Sequence, residues 1–485
     1  MVDVVEVFAV PTVAAAVWRA EIVLAATVLL GLLASVRPGP WPRLLVAAGL
    51  AASTWLALAS WLDLGVGPAL ALRPLGDHFV VDPPAALARV VILATALLVV
   101  LNLSRPDHRG SVVLALSALG LIWLSEAATA GGLLLAVAAA VSGASLAAWC
   151  YAAPAGRPAV RRWHLTATLG FGLLACGAAL SSGLSGSLEL VGLLDRVALR
   201  PYLPAGALAA FLGCGGVGLA LSLLGEPGRF AAAGPAGDHR EVLAPALSAW
   251  LTAVPPVALA ALLTRFFQTS TDAPPAALAA GWLTWAAGIL LLGGFLAALV
   301  QPTLERRLVW AATGQVGLAL TGFLVAGSTS GTAPGSAPLQ LLLVFAPAQL
   351  GALLIVRSVE SLTTAERRRH LVSYVFASLL VGLAALPPLA GWRPRFALLQ
   401  VLLSADHYPG AALVLVGTLL GCWVYLRPLV DLWRLDGDRA PTGDAAGPAL
   451  SWSTGAVMTA AALLALLLAW GLGMSPLLPE SGLIP

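Results

Sequence analysis

The chain has 485 residues, 59% of them hydrophobic and 10% charged, with a mean hydropathy of +0.93 and a formal charge of +3. Its polar groups could not cover the surface of a water-soluble globule, so it is an integral membrane protein. Apolar runs of roughly 20 residues recur along the whole length, which excludes both barrel strands and a single anchor.

Other classes fall away on chemistry. Cys150, Cys176, Cys214 and Cys422 stand singly in apolar segments with no CxxC pair, so neither an iron–sulfur cluster nor a metal site is expected. No catalytic residue is assigned. No Gly-rich phosphate loop stands between a strand and a helix, and no nucleic-acid partner is expected. All 26 basic side chains in the Lys+Arg count are arginine. Arginine does not release its proton at any accessible pH, so a lysine-based proton relay is impossible in this chain.

The spacing predicts about 14 membrane helices. The first follows Arg19 and Glu21, and the second spans residues 44–61. Glu21 is either a candidate charge on a proton path or an interfacial carboxylate favoured by a helix N-terminus. A polar excursion between Asp63 and Pro84 reads as an extramembrane loop, and the third helix is expected over 90–103. The fourth covers 112–124 and the fifth 133–151. Glu126, in the connection between them, reads as a solvated loop charge.

A basic turn, GRPAVRRWH, leads into the sixth helix at 165–180. Its Arg162 and His164 are candidates for a proton uptake route, since imidazole titrates near neutrality; the alternative is plain anchoring charge at a helix end. The seventh helix, LAAFLGCGGVGLALSLLG, precedes a loop from Glu226 to Glu241 and an eighth with LTAVPPVALAALLTRFF. Between Leu296 and Gly322 one apolar helix ends at Gln301, a charged turn of Glu305, Arg306 and Arg307 follows, and a second helix carries Gln315 and Gly317. An eleventh helix, LQLLLVFAPAQLGALLIV, comes next.

The twelfth runs into AALPPLAGWRPRFALL. Pro387 and Pro388 remove two backbone donors in succession, so the helix must break there, with Gly391 next to the break. Arg395 lies just beyond it. A charge at that depth is a functional candidate; the competing reading is a structural arginine that satisfies carbonyls freed by the break. Two more helices, near 412–429 and 454–472, complete the set.

The charged residues also suggest an orientation. Eighteen of the arginines, among them Arg43, Arg109, Arg162, Arg307, Arg368 and Arg434, fall in connections after odd-numbered helices. The positive-inside rule makes those connections cytoplasmic and puts both termini on the other side of a bacterial cytoplasmic (inner) membrane.

Two stretches carry a resemblance. Leu296 to Gly322, with Gln301, Arg306, Gln315 and Gly317, and the run Pro387, Pro388, Leu389, Ala390, Gly391, Arg395, Phe396 resemble the antiporter-like membrane subunits of respiratory complex I and of Mrp-type cation/proton antiporters. The resemblance implies an all-α polytopic protein with two inverted five-helix repeats and broken helices 7 and 12. It divides the chain into N-terminal helices (1–130), a first repeat (131–266), a second repeat (267–430) and a C-terminal loop and helix (431–485). It fits the N-type subunit of NADH-quinone oxidoreductase better than the larger type.

Against that family several proton-carrying side chains are missing. The glutamate of the fifth helix falls on Ala138 or Ser142. The lysines of the seventh and eighth fall near Val217 and on Pro256, and that of the twelfth on Arg395. The resemblance therefore implies a subunit of a complex I-related proton-translocating oxidoreductase with much of the proton path lost and a structural or coupling role. It carries no cofactor itself, while iron–sulfur, flavin and quinone are expected in its partner membrane and redox subunits. A subunit of an Mrp-type antiporter, or of an ion-driven inorganic-carbon uptake system, is the alternative.

Overall fold

The computed structural model describes residues 18–36, 40–66, 78–103, 108–152, 157–190, 216, 245–266, 274–325, 336–360, 371–387, 389–433, 459–464 and 466. In these the chain is mostly helical. In order it forms α1 (Arg19–Ala34), α2 (Trp41–Val66), α3 (Pro83–Asn102), α4 (His108–Glu126), α5 (Ala130–Tyr151) and α6 (Arg157–Ser185). Then follow α7 (Pro245–Ala253), α8 (Pro255–Phe266), α9 (Pro274–Leu299), α10 (Leu304–Leu320), α11 (Ser336–Glu360), α12 (Leu371–Leu383), α13 (Trp392–Ser404) and α14 (Tyr408–Trp433). Eight stretches among the described residues are long and apolar enough to cross a membrane. The predicted seventh helix and the loop after it, except Gly216, lie outside the described residues, as does most of the last helix.

Burial separates the centre from the rim. The stretches Ala246–Phe266 and Ala337–Val356 are 94% buried, whereas Trp41–Leu62 and Gly281–Leu299 are 22% and 28% buried and turn Trp55 and Trp285 outward. Apolar side chains facing outward suit a helix whose solvent is lipid. The central α11 packs against α7, α8, α10, α12 and α13.

The helix hairpins close on backbone rather than on side chains. A Cβ on Gly120 of α4 would stand 2.2 Å from the Ala140 nitrogen of α5, and one on Gly317 of α10 would stand 2.3 Å from the Leu291 nitrogen of α9. Only glycine allows such an approach, which in lipid replaces the hydrophobic driving force with close van der Waals packing.

Helix starts follow local chemistry. Asp82 accepts from the Ala85 N–H at 2.9 Å and caps α3, whose first two residues are prolines. Because Pro83 and Pro84 open the helix instead of preceding it, α3 begins seven residues earlier than expected, and Arg89 lies within it. Thr129 caps α5 through the Gly132 N–H, and Thr303 caps α10 through the Arg306 N–H. The charged residues Glu305, Arg306 and Arg307 accordingly form the first turn of α10, not a loop.

At one end of the bundle three short extended segments bond to one another. Val80 N–H donates to Glu126 O at 2.8 Å and Ala128 N–H to His78 O at 2.9 Å, while Leu190 N–H donates to Ala128 O at 2.7 Å. Trp18, Phe79, Val81 and Ala86 form a small apolar cluster there, with Trp61 and Trp123 packed against it.

Candidate functional site

Two groups of buried polar side chains stand out, one at the helix break and one at the bundle end. At the break, α12 ends with Ala385 at φ 63°; its N–H reaches Gly382 O and that of Leu386 reaches Val381 O. This is a helix terminus of the Schellman kind, usually built on glycine. It leaves the carbonyls of Leu383 and Ala384 without helical donors, because residues 387 and 388 are prolines and have no N–H to offer.

Side chains from other helices fill those two acceptors. Arg395 of α13 donates from Nη2 to Leu383 O at 2.7 Å, and Gln315 of α10 donates from Nε2 to the same oxygen at 3.3 Å. Cys422 Sγ of α14 lies 3.0 Å from Ala384 O. Arg395 and Gln315 are buried, as are the hydroxyl of Tyr425 and the remaining Arg395 donors Nε and Nη1, which find no acceptor. Among the described residues no carboxylate pairs with Arg395. Pro387 and Gly391 frame the break, and Pro388 lies outside the described residues.

The second group gathers around Arg89, fully buried in the second turn of α3. Its Nε lies 2.7 Å from Glu21 Oε1 of α1 and donates to Glu126 Oε1 of α4 at 3.0 Å, and its Nη2 also reaches Glu126 Oε1. Glu21 is 2% and Glu126 0% exposed. Glu126 is thus no solvated loop charge: it is the last residue of α4, turned inward onto a guanidinium that makes its burial affordable. Glu21 is also buried.

Next to it, Arg265 in the last turn of α8 binds Asp82 Oδ2 at 2.8 Å and donates to Ala127 O at 3.0 Å and Val80 O at 3.1 Å. Sequence reasoning passed over Arg89 and Arg265 and took Glu126 for a loop charge. A usable signal existed: Arg89 and Arg265 each stand alone in an apolar run, and such an arginine needs a counter-charge brought by another helix.

The remaining predicted residues join neither group. Arg162 is exposed on α6, and His164, two residues along, places Nδ1 3.0 Å from Ser145 Oγ of α5. Ala138 and Ser142, the positions aligned with the family glutamate, face outward from α5, and Pro256 is buried at the start of α8. Among the described residues no three His, Cys, Asp or Glu side chains converge as a metal site.

An outward-apolar helical bundle with a broken helix and arginines buried on carbonyls and carboxylates has known counterparts. Residues 240–421 match the family described as NADH:quinone oxidoreductase/Mrp antiporter, TM. The fold is that of a chain of respiratory complex I from Thermus thermophilus, with TM-score 0.73, 21% identity, and coverage of 95% of this chain and 98% of that one. A chain of the Mrp complex from Dietzia sp. matches equally, with TM-score 0.73, 18% identity, and 97% and 96% coverage. The protein is therefore a multi-pass membrane protein that is similar to these antiporter-like chains in fold and, over residues 240–421, in sequence.

In sequence it is similar to N-type subunits along most of its length. NADH-quinone oxidoreductase subunit N of Cereibacter sphaeroides is 29% identical over 454 residues, covering 87% of this chain and 93% of the relative.

Proposed function

We propose that the chain is an N-like membrane subunit of a complex I-related proton-translocating oxidoreductase, in which it serves a structural or coupling role because the family's proton relay has been replaced. The reading includes about 14 membrane helices in two inverted five-helix repeats, with units 1–130, 131–266, 267–430 and 431–485. It also includes both termini on the non-cytoplasmic side of a bacterial inner membrane, and partner subunits that hold the iron–sulfur, flavin and quinone groups.

One observation carries the proposal. At the position where the resemblance expects a titrating lysine stands Arg395, bonded to the orphaned carbonyl of Leu383 with no carboxylate against it among the described residues. A proton relay needs groups that take and release protons near working pH. A guanidinium, which keeps its proton at any accessible pH, does neither. Its chemistry there is that of a brace across a broken helix.

The test is proton translocation by the purified, reconstituted assembly. Pumping stoichiometry unchanged in Arg395→Ala and in His164→Ala is the expected result. A fall in stoichiometry in either variant, with the assembly intact, would refute the structural role.

The equal likeness to the Mrp chain supports a second reading, a subunit of a cation/proton antiporter or ion-driven carbon-uptake system. Chains that co-purify separate the two: redox subunits support the first and small membrane partners the second.

A further inference from the structure

We propose that Glu21 and Glu126 hold one proton between them, clamped by Arg89, so that the N-terminal helices contain a single-proton binding site apart from the helix break. The inference rests on the cluster itself and not on which assembly the chain joins.

The charges do not balance otherwise. One guanidinium faces two carboxyl groups, all three at most 2% exposed. Arg89 Nε contacts both acids, at 2.7 Å from Glu21 Oε1 and 3.0 Å from Glu126 Oε1, and one N–H cannot serve both fully. Neither oxygen of Glu21 completes a hydrogen bond, and Glu126 Oε2 has no donor. Orphaned lone pairs on two adjacent buried acids are the acceptors a shared carboxyl hydrogen would satisfy. Two like charges sharing a dry site do not both ionise, as in paired carboxylates that retain one proton. Arginine keeps its own proton throughout.

Among the described residues the surrounding groups do not supply a second cation. Arg265 from α8 is committed to Asp82 and to the carbonyls of Val80 and Ala127. His78 places Nδ1 against the Thr129 hydroxyl, and Glu189, whose backbone pairs with that of Thr129, is itself an acid. Arg19 of α1 is exposed, and Arg43 of α2 donates to the carbonyls of Val100 and Leu101 at the other end of α3. Trp18 and Trp123 each pack against Phe79 at this end, with ring centroids 6.0 Å apart in each contact.

Infrared spectroscopy of the intact assembly in membranes, with and without carboxyl-labelled glutamate and after exchange into deuterated buffer, reads the proton directly. The wild type at neutral pH is expected to show one glutamic acid carbonyl stretch that shifts with the label. Glu21→Gln and Glu126→Gln are each expected to abolish it, because the surviving carboxylate then pairs one to one with Arg89 and ionises. Absence of a glutamic acid band in the wild type would overturn the proposal, and this readout needs no variant to fold. So would a band that survives in both variants, or one lost in a single variant only, since an acid neutral on its own account is not a shared proton.

Discussion

Arg265 and Asp82, 183 residues apart in sequence, close on each other at 2.8 Å and fasten the last turn of α8 to the first turn of α3. Asp82 uses one oxygen for this pair and the other to cap its own helix. The same carboxylate therefore sets where α3 starts and how the N-terminal helices meet the central ones.

Replacing Asp82 separates those two duties. Asp82→Ala loses the cap, worth about 1 kcal/mol, and strands a buried guanidinium, worth roughly 3 to 5 kcal/mol. Asp82→Asn retains the cap and part of the hydrogen bonding. Thermal unfolding in detergent is expected to rank wild type above Asp82→Asn and Asp82→Ala lowest; equal losses for the two variants would contradict the double role.

The Arg89 cluster predicts a reversal of the usual additivity. Glu21→Gln and Glu126→Gln singly leave a balanced ion pair and are expected to be mild. The double variant removes both carboxylates that Arg89 contacts and is expected to destabilise by roughly 3 to 5 kcal/mol, far beyond the sum. Comparative melts of the three variants check this.

At the break, Arg395 and Gln315 share the oxygen of Leu383. Removing one leaves the other in place, so Gln315→Ala and Arg395→Met are each expected to cost about 1 to 2 kcal/mol. Together they orphan a buried carbonyl, and a double-mutant cycle is expected to show coupling of at least ~0.5 kcal/mol. Strict additivity would mean that the shared oxygen finds another donor.

Ala385 carries a left-handed φ of 63° that costs a non-glycine residue roughly 1 kcal/mol or more. Ala385→Gly is expected to raise the melting temperature. A lowered one would show that the turn tolerates alanine without strain.

Glycine positions on one hairpin give an internal control. A Cβ at Gly317 meets the Leu291 backbone at 2.3 Å, whereas one at Gly293 meets nothing within 4 Å. Gly317→Ala is expected to cost about 1 to 3 kcal/mol and Gly293→Ala to be neutral, both read by thermal stability of the purified chain.

Much of the architecture was legible in the residues. Apolar runs marked the helices, and the twin prolines at 387 and 388 marked the break because they remove donors whatever surrounds them. The partners of that break were not legible, since Gln315 and Cys422 approach from helices whose relative rotation no local pattern encodes.

Glu126 was misread for a related reason. A carboxylate at a helix end looks solvated until Arg89 is seen opposite, and Arg89 itself was hidden by treating Pro83 and Pro84 as loop residues. Prolines in the first turn of a helix start it as readily as they end one. The polar groups at the bundle end thus depended on a boundary placed seven residues too late.

The Arg395 guanidinium also has an electrostatic consequence. Held deep in the bundle and unable to neutralise itself, it is a standing positive potential in a medium that screens poorly. In the proposed reading, any hydronium or metal cation moving along this half of the subunit meets repulsion at that point, much as fixed arginines keep cations out of water-selective pores. A single substitution from an amine that can discharge to a guanidinium that cannot would turn a stepping stone into a barrier.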